Sequence, residues 1–141
     1  MSKVVLSDTG FWIGLFESRD ENHKKSLLIY DIIKDYKIII PWPSLYEFLN
    51  TRLSRNILNI IKLEKFLKDH DIYYLDDTNY KSNILELYIS QNKINQKISL
   101  VDLVLIRMIE DKNINIDYLI TFNKKDFFKY CQKRKIELIS D

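Results

Sequence analysis

Apolar residues in this chain come in short runs, and most runs stop at a polar or acidic residue where a helical period takes over. Val4 to Ser7, Lys37 to Ile40, Ile72 to Leu75, Tyr118 to Thr121 and Ile136 to Ile139 have the length and apolar density of buried parallel strands. Helical periods predict elements over Phe11 to Phe16, Lys24 to Lys34, Ser44 to about Lys68 with a break near Ser54 to Asn56, Lys81 to Ser90, Ser99 to Asp111 and Lys125 to Lys135. Asp20 to His23 reads as a polar break, Asp76 to Asn79 as a turn and cap, and Gln91 to Lys97 as a polar loop. Pro41 and Pro43 are expected to stop the second strand, since proline supplies no ladder donor. Strands alternating with helices predict an α/β fold whose mostly parallel sheet is covered on both faces.

Three of the runs end at carboxylates. Asp8 follows Val4-Val5-Leu6-Ser7, Glu47 follows Ile38-Ile39-Ile40-Pro41-Trp42-Pro43-Ser44-Leu45-Tyr46, and Asp102 follows Ile98-Ser99-Leu100-Val101. In a parallel sheet the strand ends and the helix starts after them share one edge, so acids remote in sequence can meet there. Carboxylates that meet repel one another unless a cation intervenes, and hard divalent ions prefer oxygen ligands. The pattern points to a metal site for phosphate chemistry. Each acid alone reads equally well as a helix cap: Asp8 as an N-cap, Ser44-x-x-Glu47 and Ser99-x-x-Asp102 as capping boxes. Their coincidence favours a site, and Asp102 is the sharpest case, because an unpaired carboxylate inside Leu100-Val101-Asp102-Leu103-Val104-Leu105-Ile106 is costly away from a cation or a cleft.

Composition narrows the chemistry mainly by exclusion. The 141 residues suit one domain spanning 1–141, with enough chain for a real core. Two Gly leave no phosphate-cradling glycine loop, dinucleotide fingerprint or nucleophile elbow. Two His without a His-x-x-x-His spacing make a zinc hydrolase a poor fit, and the single Cys131 forms no intrachain disulfide and reads as a packed thiol. No signal-peptide pattern is present, and no run approaches the roughly 18 apolar residues of a membrane span, so a cytoplasmic protein without a membrane partner is expected. The net charge of +2 decides nothing about nucleic acid. Basic residues do cluster after Glu47 (Arg52, Arg55, Lys62, Lys65, Lys68) and along the last helix (Lys124, Lys125, Lys129, Lys133, Arg134, Lys135). The default reading of such clusters is a solvated face; the functional one is contact with a phosphate backbone.

Four blocks, in order, resemble the PIN-domain ribonucleases, which include the VapC-type toxins. They are Leu6-Ser7-Asp8-Thr9-Gly10-Phe11-Trp12-Ile13-Gly14-Leu15 with the later Asp20-Glu21-Asn22-His23; Pro43-Ser44-Leu45-Tyr46-Glu47; Ile98-Ser99-Leu100-Val101-Asp102; and Tyr118-Leu119-Ile120-Thr121-Phe122-Asn123-Lys124-Lys125-Asp126-Phe127. The resemblance spans essentially the whole chain. It implies a three-layer α/β/α sandwich and an endoribonuclease dependent on Mg²⁺ or Mn²⁺, with Asp8, Glu47 and Asp102 as metal-binding acids. Asn123 stands at the family's fourth catalytic position, where many members have Asp, and this leaves open whether one or two ions bind. Thr9, Thr121 and Asp126 fall in supporting places, with Asp126 read first as an N-cap of the last helix. Arg52, Arg55, Lys124 and Lys125 are the candidate contacts to RNA. The implied products are a 5′-phosphate and a 3′-hydroxyl, and the implied partners are RNA, an antitoxin protein and a second copy in a homodimer.

Three rivals stand beside it, one a second enzyme and two of them binding modules. A haloacid-dehalogenase-like phosphatase also starts with Asp after its first strand, but its second acid would fall at Gly10. A catalytically inactive PIN-like scaffold binding RNA or protein would need no metal. A receiver-like domain needs paired acids after its first strand, and Ser7 precedes Asp8 here.

Overall fold

In the computed structural model, which describes residues 2–140, five strands form one sheet. They are β1 (Val4–Ser7), β2 (Lys37–Pro41), β3 (Ile72–Leu75), β4 (Tyr118–Ile120) and β5 (Glu137–Ile139). The order is β3-β2-β1-β4-β5, and every pairing is parallel. Helices α1 (Thr9–Phe16) and α2 (His23–Ile33) join β1 to β2. Helix α3 (Trp42–Leu49), a 3-10 turn at Arg52–Arg55 and α4 (Ile57–Asp69) join β2 to β3. Helices α5 (Ile84–Lys93) and α6 (Leu100–Glu110) precede β4, and α7 (Lys124–Arg134) precedes β5. The expected α/β sandwich with a parallel sheet is therefore the observed one.

Alternation along the strands divides the interior into two cores. Val5, Ile38, Ile40 and Ile120 face one layer, where they meet Phe11, Trp12, Ile29, Ile33, Phe48 and Phe66 of α1 to α4. Leu6, Ile39 and Leu119 face the other, where they meet Leu105, Met108, Ile109, Phe127 and Cys131 of α6 and α7. Trp12 is fully buried, and its indole Nε1 donates to Ser7 Oγ at 2.9 Å, while that hydroxyl donates to the Ile39 carbonyl at 2.8 Å. This relay fixes the start of α1 against the end of β1, the place where Asp8 sits.

Gly14 lets α1 and α2 approach closely. A Cβ there would overlap Ser26 Oγ and come within 3.1 Å of the Asn22 carbonyl oxygen. Alanine normally favours a helix over glycine by about 1 kcal/mol. Gly14→Ala is nevertheless expected to destabilise by roughly 1–3 kcal/mol through overpacking, read as a lower urea midpoint. A raised midpoint would mean the two helices separate freely.

The structure corrects three local expectations. Pro41 ends β2 inside the ladder, opposite Leu75, and caps α3, which starts at Trp42. Its extended backbone (φ −65°, ψ 139°) suits both roles, and Pro43 falls in the first helical turn, where a missing N–H breaks no helical bond. Ser44 is consequently not a cap; it is fully buried within α3. Helix α5 starts at Ile84, after Asn83 at φ 60°, and absorbs Gln91 to Lys93. The delay has a tether. Tyr80 donates its hydroxyl to Asp111 at 2.6 Å, and the Arg107 guanidinium donates to the carbonyls of Tyr80 and Ser82. No helix of the described residues is long and apolar enough to cross a membrane.

Candidate functional site

The sheet order reverses at β1: the chain runs outward through β2 and β3, then returns to place β4 on the other side of β1. The crevice beyond the ends of β1 and β4 is thus the topological switch point, where open α/β sheets bind ligands. Asp8 lies in it. Its backbone N–H donates to the Ile120 carbonyl at 3.0 Å, one carboxylate oxygen accepts from Thr9 N–H at 2.8 Å, and the other accepts from the Thr121 hydroxyl at 2.9 Å. Thr121 Oγ1 in turn accepts from Asn123 N–H at 3.0 Å. Asp8 caps α1, as one of its readings had it, while being locked to the β4 end.

Glu47 projects from α3 and is exposed; with Pro41 as the cap, its capping-box reading falls away. Asp102 is the third residue of α6. Ser99 caps that helix by accepting from Asp102 N–H at 3.0 Å, so the backbone half of the expected capping box is present. Asp126 occupies the first turn of α7, whose cap position is Asn123, so the N-cap reading of Asp126 is replaced. The Asn123 amide donates to Asp126 Oδ2 at 2.5 Å.

Electrostatics joins these acids. Asp102 is pushed up to about 7, first by burial and then by the charges of Asp8, Asp126 and Glu47. Asp8 is also raised, by burial above all, with Glu47 and Asp126 adding to it; its bonds to Thr9 and Thr121 pull the other way. Among the described residues no ion pair engages any of the four acids. Their donors are all oxygen and carry excess negative charge, which fits a hard divalent cation in kind. Among the described residues, though, no three of the acids stand close enough to make a finished cage.

Two cavities adjoin Asn123 and Asp126. One of about 460 Å³ is lined by Lys25, Phe122, Asn123, Lys124, Lys125 and Ser140. The other, of about 260 Å³, is lined by Lys97, Lys125, Asp126, Lys129 and Tyr130 with two glutamines, Gln91 and Gln96. Lys124 and Lys125 line the first cavity with Asn123, and Lys125 lines the second with Asp126; Asp8, Glu47 and Asp102 line neither. Arg52 and Arg55 line neither cavity; the Glu17 carboxyl is held below its ordinary value by hydrogen bonds from Arg19 first, with the Arg52 charge adding last. Lys25 and Lys97, which line these cavities, were not among the sequence candidates. Lys129 carried a signal, standing one turn after Lys125 on α7. The remaining candidates are structural: Cys131 is buried and its thiol is pushed up to about 11, and His23 Nδ1 donates to the Gly14 carbonyl at 2.7 Å.

This architecture is the VapC-type PIN-domain fold. Among solved structures it is similar to VapC20 of Mycobacterium tuberculosis, a sarcin–ricin loop cleaving toxin, with TM-score 0.67 and 15% identity over 89% of this chain and 94% of that one. It is also similar to the DNA-bound VapBC2 of Rickettsia felis (TM-score 0.58, 20% identity, 96% of each chain). The DNA-bound VapBC of Salmonella typhimurium gives TM-score 0.59 and 14% identity over 98% and 97% of the two chains. No family model matches the sequence, and no curated protein matches it.

Proposed function

We propose that this chain is an endoribonuclease toxin of the VapC kind, acting through Mg²⁺ or Mn²⁺. What supports the reading is that Asp8, Glu47, Asp102 and Asp126 act on one another by charge beside the switch-point crevice, two of them with raised pKa values and none in an ion pair among the described residues. Asp8, Glu47 and Asp102 would hold the ion, with Asp126 adding charge beside them. When bound, the ion supplies positive charge to a phosphate and acidifies an attacking water. The side chains do the positioning. Thr9 and Thr121 hold both oxygens of Asp8 in one orientation. Asp102 gives up its proton near neutral pH, which makes it available as an anionic ligand. Asn123 orients Asp126 by its amide and, through its backbone N–H, orients the Thr121 hydroxyl. The products are a 5′-phosphate and a 3′-hydroxyl. The VapBC neighbours support an antitoxin as the natural inhibitor, and a cytoplasmic location follows from an RNA target.

A phosphatase of the haloacid-dehalogenase type is disfavoured, because its second acid would fall at Gly10, which carries no side chain. The test is incubation of the purified protein with an RNA panel that includes transfer RNA and a sarcin–ricin loop hairpin. Discrete cuts with Mg²⁺ or Mn²⁺, none with EDTA, and 5′-phosphate ends are expected. RNA binding without cuts under every metal condition would make the chain an inactive binding scaffold.

A further inference from the structure

Five lysines line two cavities that adjoin Asn123 and Asp126, in an arrangement that stability does not explain. Lys124 and Lys125 are the first two residues of α7, and Lys25 is the third residue of α2. A helix N-terminus carries partial positive charge, so cations there are unfavourable. All three are exposed, and none forms an ion pair among the described residues. These lysines border the first cavity, while Lys97, from the segment before α6, and Lys129, one turn into α7, border the second. Lys125 borders both. The two cavities share Lys125, with Asn123 lining the first and Asp126, its hydrogen-bond partner, lining the second. Gln91 and Gln96 in the second cavity add neutral amides suited to sugar hydroxyls and base edges.

We infer that a single strand of RNA crosses the acidic cleft over Lys125, seating phosphates on one side of the scissile bond against Lys25 and Lys124 and those on the other side against Lys97 and Lys129. This rests on the ribonuclease reading above and adds to it the path of the substrate. Cations on both flanks hold the chain ends while the acids at the middle repel the scissile phosphate until a divalent ion intervenes. Binding would thus be strong at the flanks and conditional at the centre.

The test uses fluorescence anisotropy with labelled single-stranded RNA of about ten nucleotides, bound to the Asp102→Asn protein in Mg²⁺, and cleavage assays in the unaltered background. Two charge-reversed pairs are compared, Lys25→Glu with Lys124→Glu and Lys97→Glu with Lys129→Glu. The control pair is Lys34→Glu with Lys112→Glu, exposed residues beyond the far ends of α2 and α6. Each cleft pair is expected to weaken binding about tenfold or more and to lower the salt dependence by roughly 0.7 per lost phosphate contact, with the control unchanged. An RNA ending at the cleavage position should respond to one cleft pair and ignore the other, which a diffuse positive field would not produce.

Unchanged binding and cleavage in both cleft pairs would overturn the path and leave the ribonuclease reading standing. Equal loss from the control pair would overturn it too, since the field would then be general. An unaltered protein that neither binds nor cuts RNA would remove both readings. Loss of binding to a poly-glutamate peptide, with RNA binding intact, would assign these lysines to an acidic protein segment instead and overturn the path.

Discussion

Asp102→Asn protein is expected to cleave RNA at least about a hundredfold more slowly than the unaltered protein, the scale seen when one group that organises charge is removed from an active site. In metal-free buffer near pH 8 it should also melt at a higher temperature. The two effects share one cause. Asp102 is raised to about 7 because it is largely withdrawn from water and faces the charges of Asp8, Asp126 and Glu47. Replacing the carboxylate by an amide removes the repulsion, and an amide is a poor ligand for a divalent ion. Folding should survive, because the cap of α6 comes from Ser99 Oγ to the Asp102 backbone N–H and does not need the carboxylate. Asp8→Asn is a less clean test, since both Asp8 oxygens are engaged, with Thr9 and Thr121. An Asp102→Asn variant that lost several kcal/mol of stability while keeping its activity per folded molecule would return Asp102 to a capping role.

The acids that this prediction concerns were legible in the sequence because strand, turn and helix signals are local. Val4 to Ser7 and Ile72 to Leu75 fall on β1 and β3 residue for residue, since short β-branched and aromatic runs between polar breaks leave little choice. Asp8, Glu47 and Asp102 each follow such a run. What the sequence did not carry was the partner of each polar group. Ser44 has the spacing of a capping box with Glu47, yet the extended backbone of Pro41 starts the helix three residues earlier than that box would, and Ser44 is buried. Asp126 read as a cap because Asn123 and Asp126 are both good cap residues; the bond between Thr121 Oγ1 and Asn123 N–H settles the order, and that bond depends on where β4 ends. Lys97 stands in a polar stretch with no period, and only the packing of α5 and α6 brings it to the cavity beside Asp126 and Lys129. The delayed start of α5 is likewise a tertiary effect, set by Arg107 and Asp111 at remote positions.

Stability of the metal-free protein should fall as pH rises between about 4 and 7, opposite to the usual behaviour of a carboxylate in an ion pair. Asp102 has an ordinary value of 3.8 and a folded value of about 7. In that window the folded chain keeps a proton that the unfolded chain has shed, so folding binds protons and loses stability as pH increases. The contribution is complete below the unfolded value and gone above the folded one. A fully buried group would lose about 1.36 kcal/mol for every pH unit that separates its folded and unfolded values. Asp102 is part-exposed, so roughly 1–3 kcal/mol in all is expected after solvent screening. Asp8, raised in the same direction, adds to the slope. Glu17, Asp76 and Asp111 are lowered, so their stabilisation is lost only as pH falls below the ordinary carboxylate range, outside this window. Urea midpoints taken with EDTA at about pH 4.5, 6 and 7.5 should decrease in order, and Asp102→Asn should flatten most of the decrease. Adding Mn²⁺ should reverse the trend, because the ion binds the deprotonated acids and its stabilisation grows as protons leave. A metal-free midpoint that stays level or rises from about pH 4.5 to 7.5, or an Asp102→Asn slope equal to that of the unaltered protein, would mean that these acids do not share one cleft.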